Sequence, residues 1–138
     1  MPRKIFLAGP LFNEAERDYN ARVAARLRSE GFVVWLAQEK GLLKQGSAPE
    51  KQYLFEEDVK ALRESEVILA VLDGNDVDAG TAFELGYGYA VGKPLYGLKT
   101  DYRSFSPIEN VNLMIEVPVR QIFRSLEEVI AALKSEAL

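Results

Sequence analysis

The chain has 138 residues, 48% of them apolar and 28% charged, which fits one folded domain over residues 1–138 and sets aside disordered, collagen-like and coiled-coil readings. Seventeen Lys and Arg against twenty-one Asp and Glu give a net charge of −4, which argues against nucleic acid as the main partner. Cysteine and histidine are both absent, so disulfide scaffolds, thiolate nucleophiles, Cys/His metal sites and imidazole catalysis are excluded. Acid-base and nucleophilic chemistry then falls to carboxylates, lysine, tyrosine or hydroxyls.

Lys4 to Ala8 and Phe32 to Leu36 are short apolar runs bounded by turn residues, as buried parallel strands are. Between them Asn13 can cap a helix with Glu16 three residues on, Ala15, Tyr19, Val23 and Leu27 recur every fourth position, and Gly31 marks the end. Gly41 to Pro49 reads as a loop, and helical periodicity resumes from Glu50 to Ser65. Val67 to Leu72 is the clearest buried strand, closed by Asp73-Gly74-Asn75-Asp76. A helix from about Gly80 to Val91 follows, then a strand through Leu95, Tyr96 and Leu98. Thr100 to Glu109 is a polar loop, Val117 to Phe123 a short further segment, and Ser125 with Glu128 caps a last amphipathic helix.

The order β-α-β-α-β-α-β-β-α predicts an α/β domain with a mostly parallel sheet and helices on both faces. Ligands of such sheets bind beyond the carboxyl ends of the strands. That directs attention to Gly9 to Phe12, Gln38-Glu39, Asp73 to Gly80 and the loop from Thr100. The apolar opening is broken at Gly9-Pro10 and no run reaches the length of a membrane helix, so a soluble, cytoplasmic protein without a targeting segment is expected.

Two phosphate motifs fail on inspection. Gly86-Tyr87-Gly88 begins a dinucleotide fingerprint, but position 91 is Val91 and the pair lies inside a helix. Gly92-Lys93 has no following Ser or Thr and comes after its helix. Asp58 is anomalous, because Leu54, Phe55, Ala61 and Leu62 surround it on the apolar face of its helix, where a carboxylate is costly unless paired or functional. In Asp78-Ala-Gly-Thr-Ala-Phe-Glu84-Leu-Gly-Tyr, a loop after the central strand enters a helix with Glu84 expected in its first turn, where the helix end favours the anion. A positioned carboxylate can do covalent work at an acetal-like carbon, while a plain reading makes Asp78 an N-cap and Glu84 an ordinary helix acid. Most of Phe6, Phe12, Trp35, Tyr53, Tyr87 and Tyr89 are expected in packing, with some free to stack on a flat base. Arg103, Ser104 and Ser106 could hold a phosphate.

Ile5-Phe-Leu-Ala-Gly-Pro-Leu-Phe12, Glu57-Asp58, the Asp78 to Tyr87 segment, Gly92-Lys-Pro94 and Asn112-Leu-Met114 together resemble the nucleoside 2-deoxyribosyltransferases, in order and over nearly the whole chain. The resemblance implies a flavodoxin-like fold and transfer of 2-deoxyribose between nucleobases through a covalent sugar ester, without metal or organic cofactor. It implies that Glu84 is the nucleophile, that Asp78 orients sugar and nucleophile, and that Asp58 exchanges a proton with the base. Gly9 and Phe12 would shape the pocket and Gln38 would touch the base. Asn112 and Met114 would complete a neighbour's site in a homo-oligomer, a dimer or an assembly of dimers, with Asn112 reaching the sugar 5′-hydroxyl. A nucleoside and a free nucleobase are the partners so implied. Related hydrolases of deoxynucleoside 5′-monophosphates are the alternative, kept open by Arg103, Ser104 and Ser106, and a non-catalytic nucleotide sensor is the third.

Overall fold

Strand β3 (Val67–Val71), buried along its whole length, is the centre of a five-stranded sheet ordered β2-β1-β3-β4-β5 in a computed structural model that describes residues 3–135. The other strands are β1 (Lys4–Ala8), β2 (Val33–Leu36), β4 (Leu95–Leu98) and β5 (Gln121–Phe123). Every neighbouring pair is parallel, with Phe6 opposite both Trp35 and Ile68, and Leu69 opposite Tyr96. The expected mostly parallel sheet is therefore wholly parallel, in the flavodoxin-like order.

Alternation along the strands sorts the core into two layers. Ile5, Leu7, Val34, Leu69 and Leu98 pack against Val23, Ala24 and Leu27 of α1 (Glu14–Ser29) and Val129, Ile130 and Leu133 of α5 (Leu126–Lys134). Phe6, Ala8, Ile68, Ala70 and Leu95 pack on the other side, with Ala61 and Leu62 of α2 (Ala48–Glu64), Leu85 of α3 (Ala79–Ala90) and Ile115 of α4 (Leu113–Glu116). Gly88 lets α3 sit close to the sheet, since a Cβ there would lie 2.2 Å from Ile68 Cδ1. Of the glycines at 80, 86 and 88, it is the one pressed against the sheet; Gly86 has open space.

Caps set the helix ends. Asn13 accepts from the Glu16 amide at 2.8 Å and Ser125 from the Glu128 amide at 3.2 Å, while the Glu16 and Glu128 carboxylates reach one residue further back, to the Phe12 and Arg124 amides. Helix α2 starts at Ala48, two residues before the expected Glu50, because Ser47 caps it and Pro49 suits a first turn. The segment from 117 to 123 is a strand only over its last three residues, and the four-residue α4 before it was not expected. Among the described residues no helix is long and apolar enough to cross a membrane.

The chain runs from β1 outward to β2, then returns across β1 to β3. The carboxyl ends of β1 and β3 thus lie side by side with connections leaving in opposite directions, which opens a crevice between them.

Candidate active site

A cavity of about 210 Å³ occupies that crevice. Leu7 and Leu36 reach it from β1 and β2, Gly9, Leu11 and Phe12 from the loop after β1, and Ala37 from the 3-10 helix Ala37–Lys40. The remaining lining is Asp58 of α2, Asp78 just before α3, and Gly80 and Glu84 on α3. Three carboxylates from two stretches of the sequence thus share one chamber with apolar neighbours. A second cavity of about 170 Å³ adjoins it, sharing Leu11, Ala37 and Asp58 and continuing to Leu42, Leu43 and Leu54.

Each carboxylate is held differently. Asp78 is the N-cap of α3: its Oδ2 accepts from the Thr81 amide at 2.9 Å and from Thr81 Oγ1 at 3.0 Å. Asp58 accepts a 3.3 Å hydrogen bond from Trp35 Nε1 and is half-buried. Burial raises its carboxyl above the usual range, the Glu57 charge adds to the rise, and the indole N–H offsets part of it. The carboxylate that is costly on an apolar face unless paired or functional thus has the Trp35 indole as a hydrogen-bond partner. On the helix face around Asp58, Ala61 and Leu62 are buried, whereas Phe55 turns outward to meet Phe83 with ring centroids 5.9 Å apart.

Glu84 departs from the sequence expectation. Helix α3 has no acid in its first turn, and Glu84 follows the Asp78 cap by six residues, beyond the reach of the helix end. Its carboxyl is pushed up to about 8, first by burial and then by the charges of Asp58 and Asp78. Burial and the two like charges thus favour the protonated carboxyl, against the anion that a first-turn position would favour.

The other anticipated residues divide. Gly9 lines the cavity, where a Cβ would lie 3.2 Å from Val71 Cβ, and Phe12 borders it while 71% exposed. Gln38 does not line it; its amide bonds to Asn20 and to the Arg17 carbonyl. Asn112 caps α4 through the Met114 amide, and Met114 is 73% exposed, so this chain brings neither into its own cavity. Arg103 donates to Asp101 at 2.5 Å, Ser104 to Asn110 at 3.3 Å, and Ser106 accepts from the Glu109 amide at 3.0 Å, all outside the cavity. Sequence reasoning missed Trp35 as the partner of Asp58, and Asn20; the latter sits on the α1 face of Val23, Ala24 and Leu27, where a polar residue is as conspicuous as Asp58 on α2.

A model of the nucleoside 2-deoxyribosyltransferase family matches residues 5–126. A 2-deoxyribosyltransferase from Bacillus psychrosaccharolyticus is similar in structure, with a TM-score of 0.79 at 28% identity, over 92% of this chain and 90% of that one. A 2-deoxyribosyltransferase from Leishmania mexicana gives a TM-score of 0.76 at 25% identity, over 99% and 100%. A CMP N-glycosidase from Clostridium botulinum shares the fold, with a TM-score of 0.56 at 19% identity over 96% and 99%. No curated protein matches the chain.

Proposed function

The chain belongs to the nucleoside 2-deoxyribosyltransferase family, and we propose on that premise that it moves a 2-deoxyribosyl group from one nucleobase to another through a sugar ester on Glu84. The observation that carries this reading is the meeting of Asp58, Asp78 and Glu84 on one cavity, with Glu84 raised to about 8 by burial and by the other two charges.

Like charges close together titrate as a group, and protonating one member eases ionisation of the next. The productive arrangement has the proton on Asp58 and the charge on Glu84. As the bond from C1′ to the base nitrogen lengthens, Asp58 gives its proton to the departing base. Positive charge grows on the sugar and is stabilised by the Glu84 carboxylate, one oxygen of which then bonds to C1′. The incoming base attacks C1′, the ester bond breaks with its electrons returning to Glu84, and the proton displaced from that base goes to Asp58. Two inversions give net retention. Oδ2 of Asp78 is held by the α3 cap, which leaves Oδ1 for a sugar hydroxyl. Neither a metal nor an organic cofactor enters this scheme.

Donor choice is read from the polar loop: Arg103, Ser104 and Ser106 bond within that loop and none of the three lines the cavity, which supports an unphosphorylated nucleoside as the donor. Asn112 and Met114 are proposed to reach the site of a second copy, an arrangement supported by the apolar exposure of Leu113, Met114 and Phe83 on the adjoining α4 and α3. Mixing inactive Glu84→Ala and Asn112→Ala chains then restores turnover, because one site of the mixed pair keeps both residues. No recovery on mixing argues against a shared site.

The direct assay supplies deoxyinosine with adenine, and separately a deoxynucleoside 5′-monophosphate. Deoxyadenosine formation is expected. Sugar phosphate release without transfer would make the protein an N-glycosidase, and nucleoside binding without either product would make it a sensor.

A further inference from the structure

Asn20 lies in the α1 layer of the core and is only 2% exposed. A buried carboxamide is costly unless its donors are used. Its Nδ2 donates to the Pro10 carbonyl at 2.8 Å and to Gln38 Oε1 at 3.2 Å. Gln38 extends the connection, donating from Nε2 to the Arg17 carbonyl at 2.9 Å, and Arg17 Nη1 donates to the Leu11 carbonyl at 3.1 Å. These bonds join two stretches that line the carboxylate cavity: the loop after β1, with Gly9, Leu11 and Phe12, and the turn after β2, with Ala37. Asn20 itself stays outside that cavity. The carboxamide lies against the start of the loop after β1, since a Cβ at Gly9 would meet Asn20 Oδ1 at 3.4 Å, an ordinary contact distance.

We propose that Asn20 is a positioning residue for nucleoside binding, and that Gln38 works with it as a brace between the two loops instead of touching the base. The inference rests on the reading that this cavity takes a nucleoside. Both side chains act through backbone carbonyls, and both donors of Asn20 are committed to the brace. Glu84 and Asp58 stand on α3 and α2, elements the brace does not touch. Its loss therefore weakens binding of ground state and transition state alike, which raises KM and leaves kcat in place.

The test is a double-mutant cycle of Asn20→Ala and Gln38→Ala, assayed with deoxyinosine and with adenine or hypoxanthine as acceptor. Each single change is expected to raise KM for the nucleoside roughly tenfold and to keep kcat within about twofold. The double variant should be no worse than either, with acceptor preference unchanged. A change of acceptor preference in Gln38→Ala alone overturns the brace, as a direct base contact would produce it. So does a lowered melting temperature with KM unmoved, the mark of a purely structural role. Hydrogen exchange on the free protein gives a readout independent of turnover: amides of residues 9, 11, 12 and 37–41 should exchange faster in Asn20→Ala, and those of α3 should not. Should Asn20→Ala fail to fold, Gln38→Ala carries the same exchange prediction. A wild-type protein without glycosyl transfer defeats the functional reading, whereas unaltered exchange in the variants defeats the brace.

Discussion

Two groups of carboxylates sit at the carboxyl end of the same sheet and behave in opposite ways. Beyond β3 and β4, Asp73 accepts from Thr100 Oγ1 at 2.7 Å and from the Thr100 amide at 2.6 Å, and Asp101 accepts from Lys99 Nζ at 2.7 Å, the Gly74 amide at 2.8 Å and Arg103. Burial alone would raise the Asp101 carboxyl, but Lys99, then the Gly74 amide and Arg103, together hold it below the usual range. At the β1/β3 crevice, Asp58 has one indole N–H and Glu84 has like charges for neighbours, so burial pushes both upward. Lys99, which is wholly buried, ties the Gly74 carbonyl to Asp101 and makes the first group a structural clasp. The second group has no such cation in its lining and keeps a proton that chemistry can move. Burial is common to both; compensation is what separates a structural acid from a reactive one.

The largest way to test that contrast is Glu84→Gln, which removes the proposed nucleophile with little change in volume. Turnover should fall by at least about 10⁴-fold while the melting temperature holds or rises. Normal turnover in this variant sinks the mechanism. Asp58→Asn is expected to slow transfer about 10²- to 10³-fold, the range for a lost general acid. It should also let Glu84 ionise at lower pH, visible as an acid-side limb of the pH–rate profile shifted downward. In the clasp, Lys99→Met leaves the Gly74 carbonyl without its donor and removes the ion pair to Asp101, which keeps the Gly74 amide and Arg103, and should cost about 2 kcal/mol in urea unfolding. The pH dependence of turnover should stay as in the wild type, because the clasp is separate from the reactive group.

Stability against pH gives an effect of clear sign. The folded value of Glu84 is raised from an ordinary 4.5 to about 8, so the folded state binds this proton more tightly than the unfolded one. Its contribution is complete below about 4.5 and is lost as pH rises through about 8. Chemical denaturation between those limits should show declining stability, and Glu84→Gln should flatten the decline.

Much of this arrangement is legible in the sequence. Apolar runs and caps at Asn13, Ser125 and Asp78 mark most elements, because buried parallel strands and capped helices leave local signals. Helix α4 and strand β5 leave almost none, being four and three residues long. Asp58 is visible as a charge on an apolar face, and its place on the cavity follows from the same helix geometry. The upward push on Glu84 is not visible, since it depends on burial and on Asp58 and Asp78 converging in space, whereas local reasoning from the helix end points to the anion. Gln38 is opaque for a similar reason, as its partner Asn20 lies on another element.

The proposed reaction turns on a covalent bond between sugar and Glu84. Intact-protein mass spectrometry after mixing with deoxyinosine, without an acceptor base, tests it most directly. A mass gain of one deoxyribosyl group is expected, mapped to the peptide holding Glu84, absent from Glu84→Gln and discharged when adenine is added. Steady release of hypoxanthine with no adduct at any time, and with Glu84→Gln still releasing base, would contradict it.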